Sequence, residues 1–203
     1  MAEGGPPRLG HPRRIGGDGV PDIFCADEQN DVELDSPRWA RLAETVLLAE
    51  GVRGAAELSL MFVSEAAIAE LNESFMGVSG PTDVLAFPID GPNGLGTEAE
   101  VIAGPPGGGR GPDRAPIDVG DLPLLLGDVV VCPAVAVRQA PSHAGTLDDE
   151  LALLVVHGIL HVLGFDHDEP DEAATMRARE RALLEQLHWE APAPEGFRQE
   201  HVE

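Results

Sequence analysis

Residues 157–167 read HGILHVLGFDH, and this stretch decides how the rest of the chain is understood. His157 and His161 stand four residues apart, so on a helix they share one face, a turn apart and about 6 Å along the axis. Gly164 follows three residues later, where a residue free to adopt a left-handed conformation ends a helix and turns the chain back. That turn delivers His167 beside the other two. Three imidazoles with a fourth position left open are the usual plan of a catalytic zinc site, because water must reach the ion and be acidified there; a structural zinc is more often closed by four protein ligands. Packing does not explain three histidines in this pattern on an otherwise apolar helix. His157, His161 and His167 are therefore read as ligands of one zinc ion, and the histidines at 11, 143, 188 and 201 as isolated and solvent-facing.

Upstream of the site, Thr146 followed by Asp148 and Asp149 resembles a capping box, and the apolar run 151–156 buries the middle of the helix it starts. Downstream, Asp168, Glu169, Asp171 and Glu172 surround Pro170, which suits the first turn of a further helix, 170–187, better than a second metal site.

Nearer the start, DIFCADEQ (22–29) reads as a strand. SPRWARLAETVLLAEGV (36–52) reads as a helix with Ser36 as cap, Pro37 at the first helical position and Gly51 as stop. AELSLMFVS (56–64) alternates at period two, as a half-buried strand does, and SEAAIAELNESF (64–75) has apolar positions at helical spacing. DVLAFPI (83–89) and GDVVVCP (127–133) are two more short strands. Between them lies a Gly/Pro-rich insertion, 91–124, that includes GPPGGGRGP. Residues 1–19 are expected to be a disordered extension and 189–203 a polar tail, leaving 20–188 as one α+β domain with a mixed sheet of about four strands packed with helices.

The chain has 203 residues, a net charge of -23, and thirteen Lys+Arg residues that are all arginine. Such a balance counts against a generic polyanion binder, so any RNA-directed activity needs a local arginine patch. No apolar run has the length of a signal peptide or a spanning helix, so the expected compartment is the cytoplasm. Cys25 and Cys132 lie outside any CxxC pattern and read as small residues in strands.

The histidine spacing matches the metzincin pattern HExxHxxGxxH, except that Gly158 stands where those proteases place their general base. Asp166 is then the candidate either to support a ligand or to act on bound water, the former being favoured.

HGILHVLGFDH also closely resembles the HGxLHLxGyDH signature of the endoribonuclease YbeY family of bacterial rRNA-maturation proteins. LNESFMGVSGPTDVLAFP (71–88) resembles that family's LNxxyRgxxxPTDVLSFP, and LLGDVVVCP (125–133) its LGDIvIcp strand, in the same order along the chain. The resemblance runs from about residue 20 to 188. It implies a zinc-dependent single-strand endoribonuclease acting in 3′-end maturation of small-subunit rRNA and in ribosome quality control. Ribosomal RNA and ribosomal particles are the implied partners, and His157, His161 and His167 the implied ligands. Two positions depart from the pattern: Met76 replaces an arginine proposed to act on RNA, and Ala86 replaces a serine. Methionine supplies no charge to a transition state. Arg138 is the candidate substitute for substrate binding, ahead of Arg177, Arg179 and Arg181, which read as a solvated helix face. The -23 charge and Met76 keep open an assembly factor with structural zinc; a metalloprotease is weakened by Gly158.

Overall fold

The computed structural model describes residues 19–89 and 123–199. The proposed extension lies outside this span except for Gly19, and the insertion except for residues 123 and 124. The elements run β1 (Asp22–Asp27), α1 (Ser36–Ala49), β2 (Ala56–Phe62), α2 (Glu65–Leu71), β3 (Val84–Pro88), β4 (Leu124–Val131), α3 (Pro133–Gln139), α4 (Leu147–Val162) and α5 (Pro170–Leu187). A π-helical turn, Asn72–Met76, extends α2, and a 3-10 turn, Ala140–Ser142, extends α3.

The expected α+β fold with a mixed four-stranded sheet is what forms. Strand order is β1-β2-β4-β3, parallel except for the antiparallel β3–β4 pair. The register aligns Cys25, Leu60, Val129 and Ala86 across the sheet. β4 carries apolar residues toward both faces of the sheet because both its sides are covered. Val129 and Val131 join the main core with α1, α4 and α5, whereas Val130 joins a second cluster with Ile68 of α2 and Val135 of α3.

Several local expectations shift. Helix α1 is capped by Asp35, whose side chain accepts from Arg38 N, and Ser36 is already helical. β1 stops at Asp27, although Glu28 N still donates to Phe62 O. PAVAVRQ (133–139) had no helical assignment, yet it forms α3 directly after β4. Cys132 is the buried residue preceding that helix and not a strand residue. The C-terminal segment is not free of the body through residue 199: Trp189 packs edge-on against Phe197 at 4.8 Å and both lean on the main core.

Gly158 sets how closely α4 lies on the sheet. A Cβ there would stand 2.5 Å from Val129 Cγ1 and 3.4 Å from Val84 Cγ2. Val129 is fully buried and stiff at χ1, so it has little freedom to yield. Gly158→Ala is therefore expected to lower the urea unfolding midpoint, with overpacking of about 1–3 kcal/mol exceeding alanine's gain in helix propensity of about 1 kcal/mol. An unchanged or higher midpoint would show that α4 can lift from β4 without cost.

Candidate metal centre

The helix that carries two of the candidate ligands is anchored firmly at its start. Thr146 Oγ1 accepts from Asp149 N at 3.1 Å. The Asp149 carboxylate in turn accepts from Thr146 Oγ1 at 2.6 Å, His188 Nε2 at 2.9 Å and Trp189 Nε1 at 2.5 Å. Burial alone would raise the Asp149 carboxyl, but the Thr146, Trp189 and His188 donors outweigh it and hold it below the usual carboxylate range. The fully buried Glu150 accepts from Ala144 N at 3.1 Å and lies 3.3 Å from His143 Nδ1. His143 and His188 are thus inward-facing partners of buried acids, against the expectation that they meet solvent. His11 and His201 fall outside the described residues.

At the other end α4 closes as its sequence requires. Gly164 takes φ 91°, its N–H donates to His161 O at 2.9 Å, and Phe165 N donates to Leu160 O at 3.0 Å. The chain reverses, and the three rings meet. Centroids are 4.5 Å apart for His157–His161, 4.8 Å for His161–His167 and 5.7 Å for His157–His167. One ligand atom from each ring lies within 4.8 Å of the others.

The donor set fits a single small cation. His157 Nε2 and His161 Nε2 are 3.1 Å apart, near the roughly 3.3 Å that two nitrogens at zinc–nitrogen distances of about 2.0–2.1 Å span in a tetrahedron. His157 Nδ1 lies 2.7 Å from Glu180 Oε1. A carboxylate only accepts, so the ring proton sits on Nδ1 and the Nε2 lone pair is turned to the centre. Burial first, then the neighbouring His157 and His167, pushes His161 down to about 4, so its ring is neutral at physiological pH, as a ligand must be.

Two cavities open from the histidines. One, of about 470 Å³, is lined by all three rings together with Met76, Ala86 and Asp166. The other, of about 690 Å³, shares His157 and His167 and extends along α5. A family model for endoribonuclease YbeY matches residues 24–188. The chain belongs to the endoribonuclease YbeY family. Endoribonuclease YbeY of Mycolicibacterium gilvum is 40% identical over 169 residues, spanning 83% of this chain and 84% of that protein. The Thermobifida fusca protein of the same name is 42% identical over 156 residues, 77% of this chain and 88% of that protein.

Both departures from the YbeY pattern, Met76 and Ala86, sit on the cavity wall facing the rings. Asp166 lines the same cavity, and its Oδ1 accepts from His167 N at 2.7 Å. Arg138 is exposed on α3, paired with both carboxylate oxygens of Glu65, and lines neither cavity. Arg179 pairs with Glu50 and Arg181 with Glu185, whereas Arg177 lines the larger cavity. Pro170 opens α5 and Asp171 and Glu172 lie in its first turn as expected, but Glu169, at the cap position, makes no side-chain capping hydrogen bond.

Glu180 is the site residue that the sequence reading overlooks. Its signal was present, because the buried face of α5 runs through positions 173, 176, 180, 183 and 184 and an acid stands in the middle of that stripe. It is 1% exposed, and its Oε2 accepts from Gln199 Nε2 at 3.0 Å. Glu180→Leu is expected to weaken metal affinity about 10–100-fold, as loss of a ligand's supporting carboxylate commonly does, and Glu180→Gln by less. Competition with a chromophoric chelator measures it; unchanged affinity in both variants, with α-helical content intact, would show that Glu180 does not support the ligand.

Proposed function

We propose that this chain is a zinc-dependent endoribonuclease that cuts single-stranded RNA, acting in the cytoplasm on the 3′ end of small-subunit rRNA and in ribosome quality control. Convergence of three imidazoles at the junction of two open cavities carries the reading. Three neutral nitrogen donors with an open side suit zinc better than magnesium or calcium, which prefer oxygen ligands. The relatives' shared name supplies the substrate class, and the resemblance over 20–188 supplies the ribosomal context. No helix among the described residues is long and apolar enough to cross a membrane.

Zinc held at this site supplies Lewis acidity to a phosphate oxygen and to the attacking water. The protein's share is to hold the ligand rings still and to present the scissile phosphate. Glu180 fixes the tautomer of His157, and the Gly164 turn places His167. Asp166, through its bond to His167 N, holds the third ligand's backbone, and the role proposed for it is support of that ligand. Gly158 is packed against Val129, which leaves no room for the glutamate base of a metzincin protease and disfavours peptide hydrolysis.

Purified protein is expected to contain about one zinc per chain and to cleave a single-stranded oligoribonucleotide, and His157→Ala to abolish both. RNA cleavage untouched by that substitution would trace the activity to a contaminant. Intact rRNA processing in cells carrying His157→Ala, with ribosome association retained, would replace the proposal with an assembly factor holding structural zinc.

A further inference from the structure

The larger cavity beside the histidines has a wall that the metal chemistry leaves unused. Arg177 and Gln139 stand on it, together with Thr82 and Gln199. Among the described arginines, Arg38 pairs with Asp148, Arg138 with Glu65, Arg179 with Glu50 and Arg181 with Glu185, and Arg53 donates to the carbonyls of Leu48 and Val52. Arg177 has no side-chain partner among the described residues, and it is the arginine that faces this cavity. Arg41 and Arg198 also keep their guanidinium groups unpaired among the described residues, but they line neither cavity of the metal site. In a chain of net charge -23 with no lysine, a guanidinium left unpaired beside the histidines is positioned for an anion.

Gln139 Oε1, although it has no hydrogen-bond partner among the described residues, is closed off from the cavity by its burial and offers a ligand no contact. The two acids on the same wall are already engaged: Asp83 Oδ1 accepts from Val84 N at 2.8 Å and from Thr82 Oγ1 at 3.2 Å, while Glu180 holds His157 and Gln199. A volume of about 690 Å³ accommodates a nucleotide.

We propose that this cavity is a subsite for one nucleotide of an RNA strand adjoining the scissile phosphodiester, with Arg177 holding its phosphate. The assignment rests on the endoribonuclease reading above. It also answers the charge missing at Met76 in part, since the cation enters from α5 and not from the turn after α2. Arg177 binds the strand; the reacting phosphate is left to the histidine centre.

The test uses the full chain loaded with zinc. Fluorescence anisotropy with a labelled single-stranded oligoribonucleotide is read at several salt concentrations, and cleavage is followed on the same samples. Arg177→Ala is expected to bind about tenfold more weakly, with the log–log salt slope smaller by about 0.7, the value for one lost phosphate contact on a single strand. Arg177→Lys should recover part of the affinity, and Arg41→Ala should match the wild type. Affinity and salt slope unchanged in Arg177→Ala, with wild type binding and cutting RNA, would overturn the subsite and leave the endoribonuclease reading standing. Wild type that neither binds nor cuts removes both.

Discussion

A carboxylate placed in the apolar interior is costly unless it is fully partnered, and Glu180 is partnered by the ring it serves. Its hydrogen bond to His157 ties α5 to α4 and at the same time fixes which imidazole nitrogen faces the other two histidines. Much else follows from that pairing. α5 must lie where its buried face meets the back of the ligand helix, which makes it one wall of the larger cavity. Gln199 closes the remaining carboxylate oxygen, so the segment after α5 is drawn onto the same wall.

The second constraint is the approach of α4 to the sheet. Gly158 occupies the position between the two helix ligands that turns toward β4, and the absence of a side chain lets Val129 and Val84 come up beneath the metal site. What looks in the sequence like a missing catalytic base is thus a packing requirement. β3 makes a comparable approach to β4 at Gly127, where a Cβ would fall 2.3 Å from Phe87 O. Both glycines bring backbone close to backbone or helix close to sheet around the strand that carries the centre of the fold.

Much of this was readable in the chain. The HxxxHxxGxxH spacing determines the candidate ligand geometry by helix pitch and a single left-handed turn, and short apolar or alternating runs together with helix start and stop residues locate the four strands and four of the five helices. What escaped depended on tertiary partners. α3 is short and follows a strand without a side-chain cap, so PAVAVRQ offers little beyond Pro133 to announce it. His143 and His188 looked isolated because their acids, Glu150 and Asp149, are brought to them only when the chain folds back. The sequence favours Arg138 over Arg177, and the fold reverses that order: Arg138 is neutralised by Glu65 from a distant helix, whereas Arg177 lines the larger cavity with no side-chain partner among the described residues.

The distance along the chain between His157 and the residue that holds it has a consequence for biosynthesis. Glu180 follows His157 by 23 positions, which at translation rates of about 5–20 residues per second is a lag of about one to five seconds. All three ligands leave the ribosome before their carboxylate support, and Gln199 later still. Until α5 packs on α4, the His157 ring lacks the acceptor that fixes its tautomer, so the orientation of the trio comes with the docking of α5 and not with α4 alone.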